Sequence, residues 1–284
     1  EMLRSLVGSE MCIRDSGCAL KNTKGKYSLP DSCRDADILT LSEYLMPYEA
    51  ENLSCSVQNF MVTGFPRNDT LFAADLDLHQ IFHDYHFDRL IYWLPTYRQN
   101  RWADAVHSNI SLPILYNEAI AQEVNACAKA NNILIVIKIH QAQDASKIVQ
   151  KSLSNLIVVD DAFLLKNHIV NYQILGCCDA LLTDYSSVYY DYLLCNRPIG
   201  LCWDDFDEYN KREGFAVDVN QIMAGGEKIY NSADLNEFIS RISKGEDLLT
   251  DERRKVLNQI HVYQDNHSTK RVVDYILGII CKNM

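Results

Sequence analysis

The sequence has no run of apolar residues approaching the ~20 that a membrane span requires, and it has few cations. Its 284 residues include 27 Lys and Arg against 38 Asp and Glu, a net charge of −11. A deficit of that size argues against sequence-independent binding of nucleic acid, where basic surface supplies most of the affinity. It leaves room for a small anion, which one local cluster of donors can hold inside an acidic protein. The ten cysteines form no C-x-x-C pair, so neither a zinc site nor a redox pair is indicated. Scattered through apolar runs, with Cys177 and Cys178 adjacent, they read as reduced thiols of a cytoplasmic protein. Gly-x-Gly-x-x-Gly, P-loop, Gly-x-Ser-x-Gly and His-Glu-x-x-His motifs are all missing, which removes the commonest nucleotide, hydrolase and metalloprotease signatures.

What is present is a globular chain, 48% hydrophobic and 23% charged, long enough for two domains. From about residue 89 short apolar runs alternate with segments of helical period. Leu90 to Leu94, Ile133 to Ile139, Leu156 to Val159, Ala180 to Thr183 and Ile199 to Cys202 are strand candidates. Between them, Tyr116, Ile120, Val124 and Cys127, and then Val170, Ile174 and Cys177, mark helix faces. Runs this apolar belong to a parallel sheet covered on both sides, so the fold class is α/β and doubly wound. Ala233–Ser243, Asp251–Tyr263 and Ser268–Cys281 predict three closing helices. Before residue 65 only Phe60 to Val62 reads as a strand. Residues 1–16 are too short and too charged for a signal peptide. Their VGSEMCIRDS string resembles translated adapter read-through rather than native sequence, with an amphipathic native start as the rival.

Four clusters carry chemistry. Thr183-Asp184-Tyr185-Ser186-Ser187 runs from a strand end into a helix start, which is either an anion site at the carboxyl edge of the sheet or a simple helix cap. His140 follows a strand directly and is either a donor to a phosphate or a structural histidine. Thr63-Gly64-Phe65-Pro66-Arg67-Asn68-Asp69 is a turn in which Arg67 forks onto a phosphate, or a linker between domains. Pro95-Thr96-Tyr97-Arg98 has the same form. His79, His83 and His86 have ligand-like spacing but no evident partner segment, and read as surface residues.

Taken together, TGFPRND at 63–69, LPTYR at 94–98, IKIH at 137–140, CDALLTDYSSVYYDYLLCNRPI at 178–199 and DNHSTKR at 265–271 resemble the CDP-glycerol glycerophosphotransferases in order and content. Gln141 stands where that family usually has proline. The resemblance implies a GT-B-like architecture. Residues 17–68 would be a remnant of the N-terminal acceptor-side domain and linker, 69–264 the Rossmann-like nucleotide-donor domain, and 265–284 a C-terminal helix. It implies transfer of glycerol-phosphate, or a related polyol-phosphate, from a CDP-linked donor to a hydroxyl of a lipid-linked or polymer acceptor, with CMP leaving. His140 is the implied catalytic group, and Arg67, Thr183, Asp184, Ser186 and Ser187 the implied donor-binding set. No cofactor and no metal are implied. Peripheral association with the inner face of the cell membrane accompanies the function. A capsule transferase using a CMP-sugar and a non-catalytic nucleotide-binding fragment are the alternatives.

One departure bears on activity. Gly17-Cys18-Ala19-Leu20-Lys21 matches the family segment after a tryptophan-histidine-glycine motif whose histidine is the presumed general base, and Ser16 occupies the histidine position. Because a positioned base is worth roughly 10²–10⁴-fold, the resemblance predicts that this chain binds donor weakly and transfers nothing to acceptor, so that no CMP is released. Ser16→His alone does not restore release, because the preceding domain is needed too. Acceptor-dependent turnover by the unaltered chain would place the base elsewhere, His140 first.

Overall fold

A computed structural model describes residues 18–25, 36–96, 112–139 and 153–282. The elements in chain order are β1 (Ile38–Thr40), α1 (Met46–Leu53), β2 (Phe60–Val62), β3 (Arg89–Leu94), α2 (Glu118–Ala130), β4 (Ile133–Lys138), β5 (Leu156–Val159), α3 (Asn171–Cys177), β6 (Ala180–Thr183), α4 (Val188–Leu193), β7 (Ile199–Cys202), α5 (Phe206–Arg212), β8 (Glu227–Ile229), α6 (Ser232–Lys244), α7 (Thr250–Ile260) and α8 (Ser268–Lys282), with short helical turns between them.

β3 to β8 form one parallel sheet in the order β5-β4-β3-β6-β7-β8. The apolar runs alternate their side chains between two cores. Leu90, Tyr92, Leu134, Val136, Leu181, Ile199 and Leu201 face a layer containing α3, α4 and α7. Ile91, Trp93, Ile133, Ile135, Ile137, Ala180 and Leu182 face α2 and α6 through Ala121, Val124, Leu235, Phe238 and Ile239. Continuous hydrophobic strands arise because both faces are covered, and period-2 polarity would leave a polar row inside one of the cores. Gly200 is required by closeness: a Cβ there would lie 2.5 Å from Leu182 Cδ2 and 2.8 Å from Ile229 Cδ1. The two longest helices on the second face begin where asparagine side chains accept the first free N–H groups, Asn117 from Ile120 at 3.0 Å and Asn231 from Asp234 at 3.0 Å.

The sixth strand, β8, goes beyond the expected series. Its three residues, Glu-Lys-Ile, lie at the sheet edge, where only Ile229 is buried, so no apolar run marks it. β4 stops at Lys138 rather than Ile139, and α4 begins at Val188, one residue after Ser187. β1 and β2 pair in parallel as a separate two-stranded sheet, with α1 packed beside it through Ala50.

This small unit is joined to the six-stranded one by hydrogen bonds that connect three of the sequence motifs. Arg67 sends Nε to Asp191 Oδ2 at 3.1 Å and Nη2 to Oδ1 at 3.3 Å. The pair is buried, with 8% and 1% of the two side chains exposed. Tyr172 of α3 donates to the same carboxylate at 2.6 Å, and the Arg67 guanidinium lies 4.2 Å from the Phe65 ring centroid. Asp69 accepts from the backbone N–H of Ser268 at 2.9 Å and of Thr269 at 2.8 Å, satisfying the first donors of α8. Arg271 then donates to the Thr63 carbonyl at 3.2 Å. Gly64 has φ +73°, and a Cβ there would meet Ser268 Oγ at 2.5 Å, so the turn closes against α8 only with glycine.

Removing one member of a buried ion pair leaves an uncompensated charge and costs about 3–5 kcal/mol, whereas replacing both by apolar groups is often near neutral. Arg67→Ala and Asp191→Ala should each lower the unfolding free energy, measured by urea titration, by an amount in that range. The double change Arg67→Met with Asp191→Leu should recover most of it. Equal losses that simply add would show that the two side chains act independently.

Candidate functional site

The chain order of the sheet creates a switch point. From β3 the chain moves outward to β4 and β5, then returns to place β6 on the other side of β3. Connections leave the carboxyl ends of β3 and β6 in opposite directions, which opens a crevice there, and ligands of open parallel sheets bind at such a place. Two segments line it: Pro95 and Thr96 after β3, and Asp184 to Ser187 after β6.

Thr183 and Asp184 hold the crevice together from beneath. Thr183 pairs with Leu94 in the sheet and its hydroxyl donates to the Leu94 carbonyl at 2.8 Å. Asp184 is fully enclosed and accepts from the Thr96 N–H at 3.0 and 3.1 Å as well as from the Thr96 hydroxyl. Its neighbour Tyr185 is also enclosed, stacked on Tyr209 at 4.1 Å and donating to Asp205 at 3.1 Å. These residues fix the two loops in register and turn their polar atoms inward.

Ser186 and Ser187 differ from them. Both are half-buried. Ser186 Oγ receives only a long contact of 3.5 Å from the Val188 N–H, and Ser187 makes no side-chain cap bond. Neither hydroxyl is committed to a short hydrogen bond with the described residues, unlike those of Thr183 and Tyr185. α4 has only six residues, so its dipole adds little to the polarity of this loop.

Of the expected donor-binding set, Arg67 is already engaged within the protein. Its forked contact goes to Asp191 in the interior and is not turned toward the crevice. Thr183 and Asp184 sit at the crevice but use their polar atoms on Leu94 and Thr96. His140, Ser16, Gly17, Tyr97 and Arg98 lie outside the described residues. β4, which His140 follows in the sequence, is separated from β6 by β3, so these two strands flank one central strand.

Beyond β7, Asp204 accepts from the Ile114 N–H at 3.1 Å and the Tyr116 hydroxyl at 2.6 Å, tying the segment before α2 to the same sheet edge. Tyr116 reads as part of the helix by its spacing, but the helix starts at Glu118. Among the described residues no group of three His, Cys, Asp or Glu could hold a metal ion. His79 stacks on Phe87 at 4.5 Å and His83 lies exposed beside Asp84. The described cysteines are free thiols, and no helix among the described residues is long and apolar enough to cross a membrane.

A model of the family described as CDP-glycerol:poly(glycerophosphate) glycerophosphotransferase matches residues 13–278. The chain belongs to this family. Among its relatives is a teichoic acid poly(ribitol-phosphate) polymerase of Bacillus spizizenii, 23% identical over 246 residues, which cover 84% of this chain and 37% of the relative. The teichoic acid ribitol-phosphate polymerase TarL of Staphylococcus aureus is 26% identical over 246 residues, 84% of this chain and 40% of the relative. This chain therefore spans less than half the length of either. In fold it is similar to the wall teichoic acid polymerase TagF, with a TM-score of 0.72 at 17% identity, covering 94% of this chain and 68% of the other. The shared fold is the α/β arrangement with a parallel sheet described above.

The division between framework and open hydroxyls predicts unequal stability effects at nearby positions. Asp184→Ala strands the Thr96 N–H and hydroxyl, which should cost about 1–3 kcal/mol. Ser186→Ala with Ser187→Ala should leave the unfolding free energy within about 0.5 kcal/mol of the parent. A large loss in the serine double variant would identify those residues as framework too.

Proposed function

We propose that this chain carries the donor half of a transferase that moves glycerol-phosphate, or a related polyol-phosphate, from a CDP-linked donor to a hydroxyl on a polymer or lipid-linked acceptor, releasing CMP. The observation that supports this most is the pair of uncommitted serine hydroxyls at the sheet's switch point, in a chain whose family model is named for that reaction. The relatives are named as teichoic acid polymerases and primases of ribitol-phosphate and glycerol-phosphate, and a variant of TagF has been soaked with CDPG.

In this reading the donor pyrophosphate lies over the loop between β6 and α4. Ser186, Ser187 and the adjacent N–H groups neutralise it, with His140, which follows β4 in the sequence, as the catalytic group. The acceptor oxygen attacks the polyol-bearing phosphorus, the bond from that phosphorus to the bridging oxygen breaks, and CMP carries the bridging oxygen away. The acceptor's proton passes to a base supplied from the acceptor side. The protein's work is then positioning and charge stabilisation, which phosphoryl transfer needs more than covalent participation. Thr183 and Asp184 contribute by holding the loops, and Arg67 by holding the two units together. The setting is cytoplasmic, at the inner face of the membrane that bears the acceptor.

Titration calorimetry with CDP-glycerol, CDP-ribitol and CMP-sialic acid tests the reading. A CDP-polyol should bind best, and each serine hydroxyl lost from a charged phosphate should cost about 1.5–3 kcal/mol. Unchanged affinity in the Ser186→Ala, Ser187→Ala double variant would overturn the site. Preference for CMP-sialic acid would overturn the substrate class.

A further inference from the structure

Glu49 is a carboxylic acid inside the protein. It lies on α1, is 7% exposed, and its Oε2 has no hydrogen-bond partner. The Thr40 hydroxyl, the Ala19 N–H and the Cys18 thiol face it. One turn further along α1, Asn52 donates to the Lys21 carbonyl at 2.9 Å and accepts from the Thr23 N–H at 3.0 Å. One helix face thus grips residues 18–23 at two points. The other side of the same segment is bonded to the larger unit: Asn22 N–H to the Gly214 carbonyl at 3.1 Å, Ala216 N–H to the Leu20 carbonyl at 3.0 Å, with Lys21 bridged to Phe215. Phe215 packs 5.7 Å from Tyr185, the residue just before Ser186. The segment therefore runs between the two units beside the carboxyl edge of β6 and β7.

We propose that Glu49 is a positioning residue for the crevice: with Asn52 it holds residues 18–23 against Gly214–Ala216, beside the loop that carries Ser186. This rests on the transferase reading above only for what the crevice binds.

The grip depends on the carboxyl's proton. Burial outweighs the facing donors and pushes its pKa up to about 7. Among the described residues no Lys or Arg reaches it; Lys24 pairs with Glu51 at the surface. The titratable groups that face it are Cys18, Cys55 after α1 and Tyr190 of α4, all raised by burial and neutral through pH 8. Beyond Tyr190, whose carbonyl bonds His261, that histidine is lowered by burial. Beyond Cys18 lies the Arg67–Asp191 pair, whose charges oppose. The sign follows. A carboxyl raised when the segment is closed binds its proton more tightly closed than open. Closure is therefore full below the ordinary carboxyl range near 4.5 and weakens as pH rises to about 7.

Hydrogen-exchange protection of residues 18–24, corrected for intrinsic rates, tests this on the full chain. The parent should lose about tenfold or more of that protection between pH 5 and pH 8. Glu49→Gln keeps the shape without the charge and should hold protection level across the range. Asn52→Ala should lower protection at both pH values and keep the slope. A flat parent, or a Glu49→Gln variant that retains the parent's slope, overturns the proposal. At pH 8, saturating CDP-glycerol should raise protection of the same segment. Binding seen by calorimetry without that rise would overturn the placement at the crevice. Absence of binding by any CDP-polyol would instead overturn the transferase reading, while the pH arm still decides the role of Glu49.

Discussion

The buried pair between Arg67 and Asp191 is the constraint on which the rest depends. Two charges taken out of water are tolerated only where geometry and additional hydrogen bonds satisfy them, and here the fork, the Tyr172 hydroxyl and the Phe65 ring do so together. Because Asp191 sits in the helix that follows the Ser186-Ser187 loop, the pair fixes that loop relative to the turn at 63–69. Asp69, in the same turn, fixes the start of α8. Three stretches that look like separate recognition motifs are, at the level of packing, one joint.

That joint clarifies how polar groups are distributed. Asp184, Thr183, Tyr185 and Arg67 are chemically suited to a phosphate or its surroundings, yet each is enclosed and committed to another part of the protein. Enclosed polar groups need partners, since leaving one unsatisfied costs as much as a hydrogen bond contributes or more. The crevice is therefore bordered by groups already satisfied, and Ser186 and Ser187 stand out because theirs are not.

Much of the fold is legible in the order of the residues alone. β3, β4, β5, β6 and β7 announce themselves as apolar runs because both faces of the sheet are covered. Asn117 and Asn231 mark helix starts by the chemistry of their side chains. What is not legible has physical reasons. β8 is a three-residue edge strand with one buried side chain, and β1 is equally short, so neither leaves a periodic trace. Arg67 is open to two readings because a sequence shows a guanidinium in a turn but not the carboxylate 124 positions later that receives it. Glu49 carries no signal at all: a glutamate in a helix looks solvated until α1 is seen turned inward against residues 18–20. The serines are legible as a pair at a strand end, but only the contacts of their neighbours separate them from a cap.

The joint also has a temporal side. Its hydrogen bonds connect residues 124, 199, 200 and 208 positions apart. During synthesis the small unit around β1 and β2 emerges before the partners that lock it in place, Asp191 of α4 and then the start of α8. Closing such long loops is slow, and surface awaiting its partner is exposed meanwhile. The parallel sheet can assemble from neighbouring segments as they appear, whereas the turn at 63–69 must wait for α8. The turn at 63–69 is thus secured long after it is made, and in that interval its surface is open to aggregation and proteolysis.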